Sequence, residues 1–367
     1  MNRRVSYTRI TGTAFLVIVL IFGIDFLRRS TANTKTDEQL KDSIKISTEP
    51  PSENQDTDPE NAGIENSETS EYIVGLGTDK YKYQNIQKTA SDMSVGSLIL
   101  VNKDHPFENF SEQKDIIKIC DEKKTDSYKL AYLTLEAHKS IIPYLNRMLD
   151  EFNSTYKHND VTVASSYMSP DDQSSVYISP PSETQYITSD KMLQAGYTEH
   201  HTGYAVDFLI VSENMEISAF DGSGDYSWIL NNCYKYGFVQ RYPESKQSYT
   251  GAENIPGHLR YVGIPHSYIM HEKDYTLEEY LDALKVYSYS GEHLEYELSG
   301  NKYEIYYVPS QGDTTEVPVP YEFQYTISGN NYDGFIVTLM RTDQMSQKNQ
   351  TGTVTTSVTT TVVPDVT

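Results

Sequence analysis

Apolar residues along this chain fall into an N-terminal run, a gap, and a long patterned region. Ile10 to Leu27 is an eighteen-residue, mostly apolar stretch, with Arg3, Arg4 and Arg9 before it and Arg28-Arg29 after it. At about 1.5 Å per residue it almost spans a ~30 Å hydrocarbon core. Its purest part, Ala14 to Ile24, also suits the apolar region of a signal peptide ahead of Ser30-Thr31-Ala32. The flanking arginines favour an uncleaved anchor over 1–33, with the remainder exported. Thr34 to about Glu71 has no aromatic residue and is dominated by Glu, Asp, Ser, Thr, Asn and Pro. Such a stretch cannot bury enough apolar surface to offset its ordering entropy. The region 34–94 is therefore expected to be an acidic, unordered linker.

Patterning begins in earnest at Val95–Asn102, the opening segment of a folded domain over 95–287. Leu135, Ile142, Leu145, Leu149 and Phe152 recur at helical spacings and predict one apolar helix face, with Pro143 starting or kinking the helix. Val161–Ala164 alternates and is β-branched, which predicts a strand. Ser169-Pro170 then marks a helix start, cap before proline. Ala205–Val211 is apolar except for Asp207 and reads as a buried strand with one inward carboxylate. Trp228–Tyr236 reads as a helix closed by Gly237, His258–Val262 as a strand, and Thr276–Leu281 as a helix opened by a capping box. Beyond Ser288 the texture becomes Tyr-rich and β-like. His293–Leu298 and Tyr303–Val308 flank Ser299-Gly300-Asn301-Lys302, and Tyr321–Ile327 and Phe335–Met340 flank a second Gly-Asn turn. This predicts a β module of about four strands over 288–341, followed by an unordered Thr-rich tail over 342–367.

A net charge of −22 argues against a nucleic-acid partner, which needs clustered Lys and Arg. Cys120 and Cys233, the two cysteines, are far apart and in no CxxC pattern; a single bridge outside the cell is open, but the chain is not a disulfide scaffold.

Candidate chemistry concentrates in Thr198-Glu199-His200-His201-Thr202-Gly203-Tyr204-Ala205-Val206-Asp207 and Pro256-Gly257-His258-Leu259-Arg260-Tyr261. His200 and Asp207 are seven apart, which suits one ligand in a loop and one on the following strand, with Gly203 allowing the bend. His258 would approach from a neighbouring strand. Two histidines and an aspartate can hold one zinc ion and leave a fourth position open, the layout of a catalytic site. His105, His138, His158, His266, His271 and His293 read as ordinary surface or hydrogen-bonded residues, and His201 as a pocket residue. Without a metal a buried Asp207 needs a partner, and Arg260 is the alternative. Glu199 is either an outer acceptor that orients a histidine or a solvated loop residue.

These stretches resemble the zinc D-alanyl-D-alanine carboxypeptidases of the VanY type. Their motif Ser-x-His-x-x-Gly-x-Ala-x-Asp is met by Thr198 in place of Ser and by His200, Gly203, Ala205 and Asp207. Their Glu-Pro-Trp-His followed by a hydrophobic residue, Arg and an aromatic corresponds to Ile255-Pro256-Gly257-His258-Leu259-Arg260-Tyr261. Trp228–Phe238, Arg241-Tyr242-Pro243, Lys246 and Thr250-Gly251 also read like the family, and the similarity runs from about Val95 to Tyr287. The resemblance implies an α+β fold: a small antiparallel sheet with flanking helices, zinc in a groove across it, and here an appended β module. It implies zinc held by His200, Asp207 and His258, with a pocket for a peptidoglycan stem peptide at Tyr167, Ser169, Gln173 and His201. Hedgehog signalling domains, which share the fold and zinc site, act as ligands.

Two departures fall on functional positions. The family's general-base glutamate is Ile255, beside Gly257 where the family has tryptophan, and its carboxylate-binding arginine is Met168. Methionine cannot make the bidentate contact of a guanidinium. Glu253, two residues before Ile255, would share its face on a strand and is a weak substitute base. Three readings are open: a membrane-anchored, exported D-Ala-D-Ala carboxypeptidase-like protein, catalytically impaired; an active zinc carboxypeptidase with another base; or a non-catalytic binding module.

Overall fold

The computed structural model describes residues 72–76, 81–110, 114–178 and 195–341. The expected anchor over 1–33 and tail over 342–367 lie outside these residues, as does most of the 34–94 linker. Among the described residues no helix is long and apolar enough to cross a membrane.

The strands, numbered along the chain, open with β1 (Tyr72–Leu76), β2 (Tyr83–Thr89) and β3 (Ile116–Lys118). Next come β4 (Lys129–Leu130), β5 (Glu136–His138), β6 (Val161–Ser165), β7 (Ala205–Val211) and β8 (Ile217–Ala219). β9 (Phe238–Gln240) and β10 (His258–Tyr261) complete the first domain. The longer helices there are α1 (Ile142–Tyr156), α2 (Pro170–Ile178), α3 (Ser227–Asn232), α4 (His266–Lys273) and α5 (Leu277–Leu284). The C-terminal strands are β11 (Glu292–Leu298), β12 (Asn301–Pro309), β13 (Thr314–Pro320), β14 (Gln324–Gly329) and β15 (Gly334–Arg341).

One sheet carries the candidate site. Its order is β4-β6-β7-β10-β9, with β8 beside β7. All pairs are antiparallel except β4 with β6. β7 pairs with β10 so that Asp207 faces His258 and Ala205 faces Arg260. The β6–β7 register slips between Val163 and Ser165, a bulge that puts Ser165 opposite Asp207 and bends the strand beside that carboxylate. Helix α1 covers the sheet with Ile142, Leu145, Met148, Leu149 and Phe152, all fully buried. Pro143 sits in its first turn, where the missing N–H costs nothing. The helix closes at Lys157 in the left-handed conformation.

The C-terminal module is larger than the sequence suggested. A five-stranded sheet, β1-β11-β12-β15-β14, faces a two-stranded one, β13-β2. Both predicted hairpins are present, the first closed by Ser299 and Gly300 at positive φ. Residues expected in the linker are strands instead: β1 extends the sheet beside β11, and β2 pairs with β13. β2 is too polar to show an apolar alternation. Its place comes from the β13 ladder and from packing Tyr83 and Ile86 on Val317, Val319, Phe335 and Val337. β13 itself carries Pro318 and Pro320, which suit only a strand with a free side.

Module and domain share a core. Leu277, Tyr280, Leu281 and Leu284 of α5 pack with Leu294, Tyr296, Ile305, Tyr307 and Ile336 of the large sheet. The segment Leu98–Val101 is buried between them, with Leu100 N–H donating to Asn330 O at 3.1 Å and Leu98 N–H to Ser328 Oγ at 2.9 Å.

Candidate metal centre

His200 lies in a single 3-10 turn, Glu199–Thr202, capped by the Thr198 side chain. The turn ends at Gly203 with φ of 73°. A side chain there would also meet Ile116 Cδ1 at 2.5 Å and the His138 backbone nitrogen at 3.0 Å, so conformation and space both demand glycine. β7 then begins at once and delivers Asp207, while β10 brings His258 opposite it. His200 Nε2 is 2.9 Å from Asp207 Oδ2, and His258 Nδ1 is 2.7 Å from Asp207 Oδ1. One donor atom from each of the three lies within 4.8 Å of the others.

The electrostatics suit a cation. Burial disfavours the charged form of Asp207, yet the two imidazoles hold its carboxyl far below the usual range. Burial alone would lower His258, but Asp207 and then Glu199 lift it to about 9. Two nitrogens and a carboxylate oxygen are a fitting donor set for Zn²⁺, which would replace the protons now shared within the trio. Asp207 keeps 32 % of its side chain exposed, so the cluster opens to solvent on one side. Arg260, the alternative partner for Asp207, is turned elsewhere: its guanidinium donates to Ser97 O and Ile99 O and sits 3.0 Å from Glu199 Oε1.

Glu199 resolves into an outer acceptor. Its side chain is fully buried, with Oε1 accepting from Arg241 Nε at 2.8 Å and Oε2 lying 3.4 Å from His258 Nε2. Burial would raise its pKa, but Arg241, Arg260 and His258 hold it well below the carboxylate range. The carboxylate therefore stands behind the His258 ring, on the side opposite Asp207. Arg241 in turn donates two hydrogen bonds to Glu278 of α5, at 2.8 and 2.6 Å. Arg241 and Glu278 carried no assigned role in the sequence reading. The available signal was that arginines inside a buried region require carboxylate partners.

The pocket candidates cluster beside this turn. Met168 N–H donates to His200 O at 3.2 Å, and Met168 O accepts from His201 Nδ1 at 2.7 Å, so the loop after β6 is tied to the ligand-bearing turn. His201 is fully buried, and its Nε2 accepts from Gly196 N–H at 3.0 Å. Both ring nitrogens are thus engaged by backbone, and burial lowers its pKa. Tyr167 is half-buried on the same loop, its N–H donating to Glu136 O. Ser169 caps α2 through Asp172 N–H, and Gln173 is buried one turn further on.

Ile255 is held through its backbone: its N–H donates to Tyr242 O, and its O accepts from His258 N–H, both at 3.1 Å. Glu253 is exposed in the loop before β10, not on a strand, so the shared-face argument for it as a base does not apply. Gly257 approaches β7 closely, and a Cβ there would lie 2.9 Å from Phe208 O. Cys120 and Cys233 are both free thiols.

The family described as VanY, D-alanyl-D-alanine carboxypeptidase, matches residues 134–264, the span that holds all three ligand candidates. A D-alanyl-D-alanine carboxypeptidase of Enterococcus faecium is 34% identical over 273 residues, 73% of this chain and 83% of that protein. A bifunctional D-Ala-D-Ala dipeptidase and D-Ala-D-Ala carboxypeptidase of Enterococcus gallinarum, VanXYC, is 28% identical over 52% of this chain and 96% of its own. Among solved structures, the vancomycin-resistance D,D-dipeptidase VanXYg, crystallised with a D-Ala-D-Ala phosphinate analogue, superposes with a TM-score of 0.61. It shares 28% identity and covers 71% of this chain and all of its own.

Proposed function

The chain belongs to the VanY-type D-alanyl-D-alanine carboxypeptidase family, and from that premise we propose that it is a zinc protein that engages D-Ala-D-Ala-ended stem peptides of peptidoglycan with impaired hydrolysis. His200, Asp207 and His258 would hold the ion. When bound, zinc would polarise a scissile carbonyl and acidify a water. Whether hydrolysis then proceeds depends on the chain's own residues. A positioned base contributes about 10²–10⁴-fold to such a reaction. Ile255 offers no carboxylate, Glu253 is exposed in a loop, and Glu199 is committed to the far side of His258. Met168 has no charge with which to pair a terminal carboxylate, so peptide recognition falls to the half-buried wall around Tyr167 and Ser169.

The observation that carries this reading is the donor trio, His200 from a 3-10 turn and Asp207 and His258 from adjoining strands, with the fully buried Glu199 behind it. The N-terminal apolar run would tether the protein to the membrane, with the domain exported toward the wall. The test is zinc content of the purified protein beside mass spectrometry of muropeptides incubated with it. Close to one zinc per chain with intact pentapeptide supports the proposal. Prompt loss of terminal D-alanine points to an active carboxypeptidase with another base, and absence of zinc points to a metal-free binding module.

A further inference from the structure

We propose that Glu199, Arg241 and Glu278 form a positioning relay that fixes His258 for the metal and makes metal affinity depend on the C-terminal β module. This rests on the zinc reading above. Four charges, Glu199, Glu278, Arg241 and Arg260, are gathered out of water here, and the side chains of Glu199, Arg241 and Arg260 have no exposure at all. Removing such groups from water carries a large desolvation cost, and apolar residues of similar volume would stabilise a core at least as well. The group therefore calls for a use, and one end of it leads to the site. His258 must present Nδ1 toward Asp207 and the ion, so Nε2 must carry the proton. Glu199 Oε2, 3.4 Å from that nitrogen, is the acceptor facing it. The distance is long for a hydrogen bond, so Glu199 acts on the ring mainly through its charge and by opposing rotation.

The other end leads to the module. Arg241 reaches Glu199 through Nε and spends both terminal nitrogens on Glu278 in a fork, while Asn102 Nδ2 donates to Glu278 Oε1 at 3.2 Å. Glu278 is the second residue of α5, whose apolar face is seated on Leu294, Ile305 and Ile336 of the large sheet. Displacing α5 would withdraw Glu278, leave Arg241 half-paired beside Glu199, and slacken the hold on His258. The module is thereby a structural support of the metal centre.

The experiment uses the full chain and measures zinc affinity by chelator competition, the visible spectrum of the Co²⁺-loaded protein, and the melting temperature of the metal-free form. Glu199→Gln should weaken zinc binding about 10–100-fold and Glu278→Gln about tenfold, with Glu279→Gln within about twofold of wild type. Both relay variants should also shift the Co²⁺ spectrum, which a change in folding stability alone would leave unmoved. Glu279 serves as the comparison because it caps α5 and pairs with Lys246 without touching Arg241. If Glu199→Gln does not fold, Glu278→Gln, at a side chain that is 15% exposed, carries the test. Wild-type affinity and spectrum in both relay variants, or an equal loss in Glu279→Gln, overturns the relay. A wild-type chain that takes up no zinc overturns the zinc reading and the relay together.

Discussion

At the residue scale, the step from His200 to Asp207 was legible because it is local, seven residues around a glycine, whereas His258, 51 residues beyond Asp207, was legible only through the motif that surrounds it. Glu199 was not, because its partners come from far along the chain. Arg241 lies 42 residues away, and Glu278 a further 37. The nearby glutamate is thus occupied, and the position next to His258 that could hold a base carries Ile255. Ile255→Glu should raise D-alanine release, since two backbone hydrogen bonds keep that position in register with His258. Met168→Arg should improve peptide binding in a peptide titration, its effect on the Michaelis constant exceeding that on turnover. Restoring tryptophan at 257 is another matter. Gly257→Trp would set a Cβ against Phe208 O, so it should lower the melting temperature and the zinc affinity, because β7 must shift to admit it. Unchanged melting and zinc affinity would contradict that close approach.

At the element scale, α1, β6, β7, β10, the α5 cap and both hairpins follow from patterns within about twenty residues of each other along the chain, and all are present. β2 and β13 are absent from the sequence reading because their order is supplied by each other and by a distant core. Phe152→Ala, which hollows the buried face of α1, should cost about 3–5 kcal/mol in urea unfolding. A loss under about 1 kcal/mol would mean the site can collapse around the gap. His266 joins elements by bonding Tyr280 of α5 through Nδ1 and Thr338 of β15 through Nε2. Burial pushes its pKa from 6.5 down to about 3. Between those values the unfolded chain binds the extra proton, so His266 contributes stability above pH 6.5 that is lost as pH falls toward 3. His266→Phe should therefore flatten the acid limb of a stability–pH profile, whereas an unchanged slope would assign that limb to other groups.

At the scale of the whole molecule, domain and module are one folded unit joined through α5 and Leu98–Val101, where the sequence suggested an appendage. Ending the chain at Tyr287 would bare Leu277, Tyr280, Leu281 and Leu284, so that fragment should aggregate or melt without a cooperative transition. A well-folded fragment would show the two parts to be separable after all. For the proposed anchor, a chain starting at Thr34 should leave membranes in high salt yet retain its melting temperature. The central claim is that the scaffold can carry zinc but lacks the base that turns a bound water on the peptide. The most direct measurement is D-alanine release from a stem pentapeptide by the zinc-loaded protein, wild type beside Ile255→Glu. Little or no release by wild type and clear release by the variant is the predicted result. Robust wild-type turnover that Ile255→Glu does not improve would contradict it.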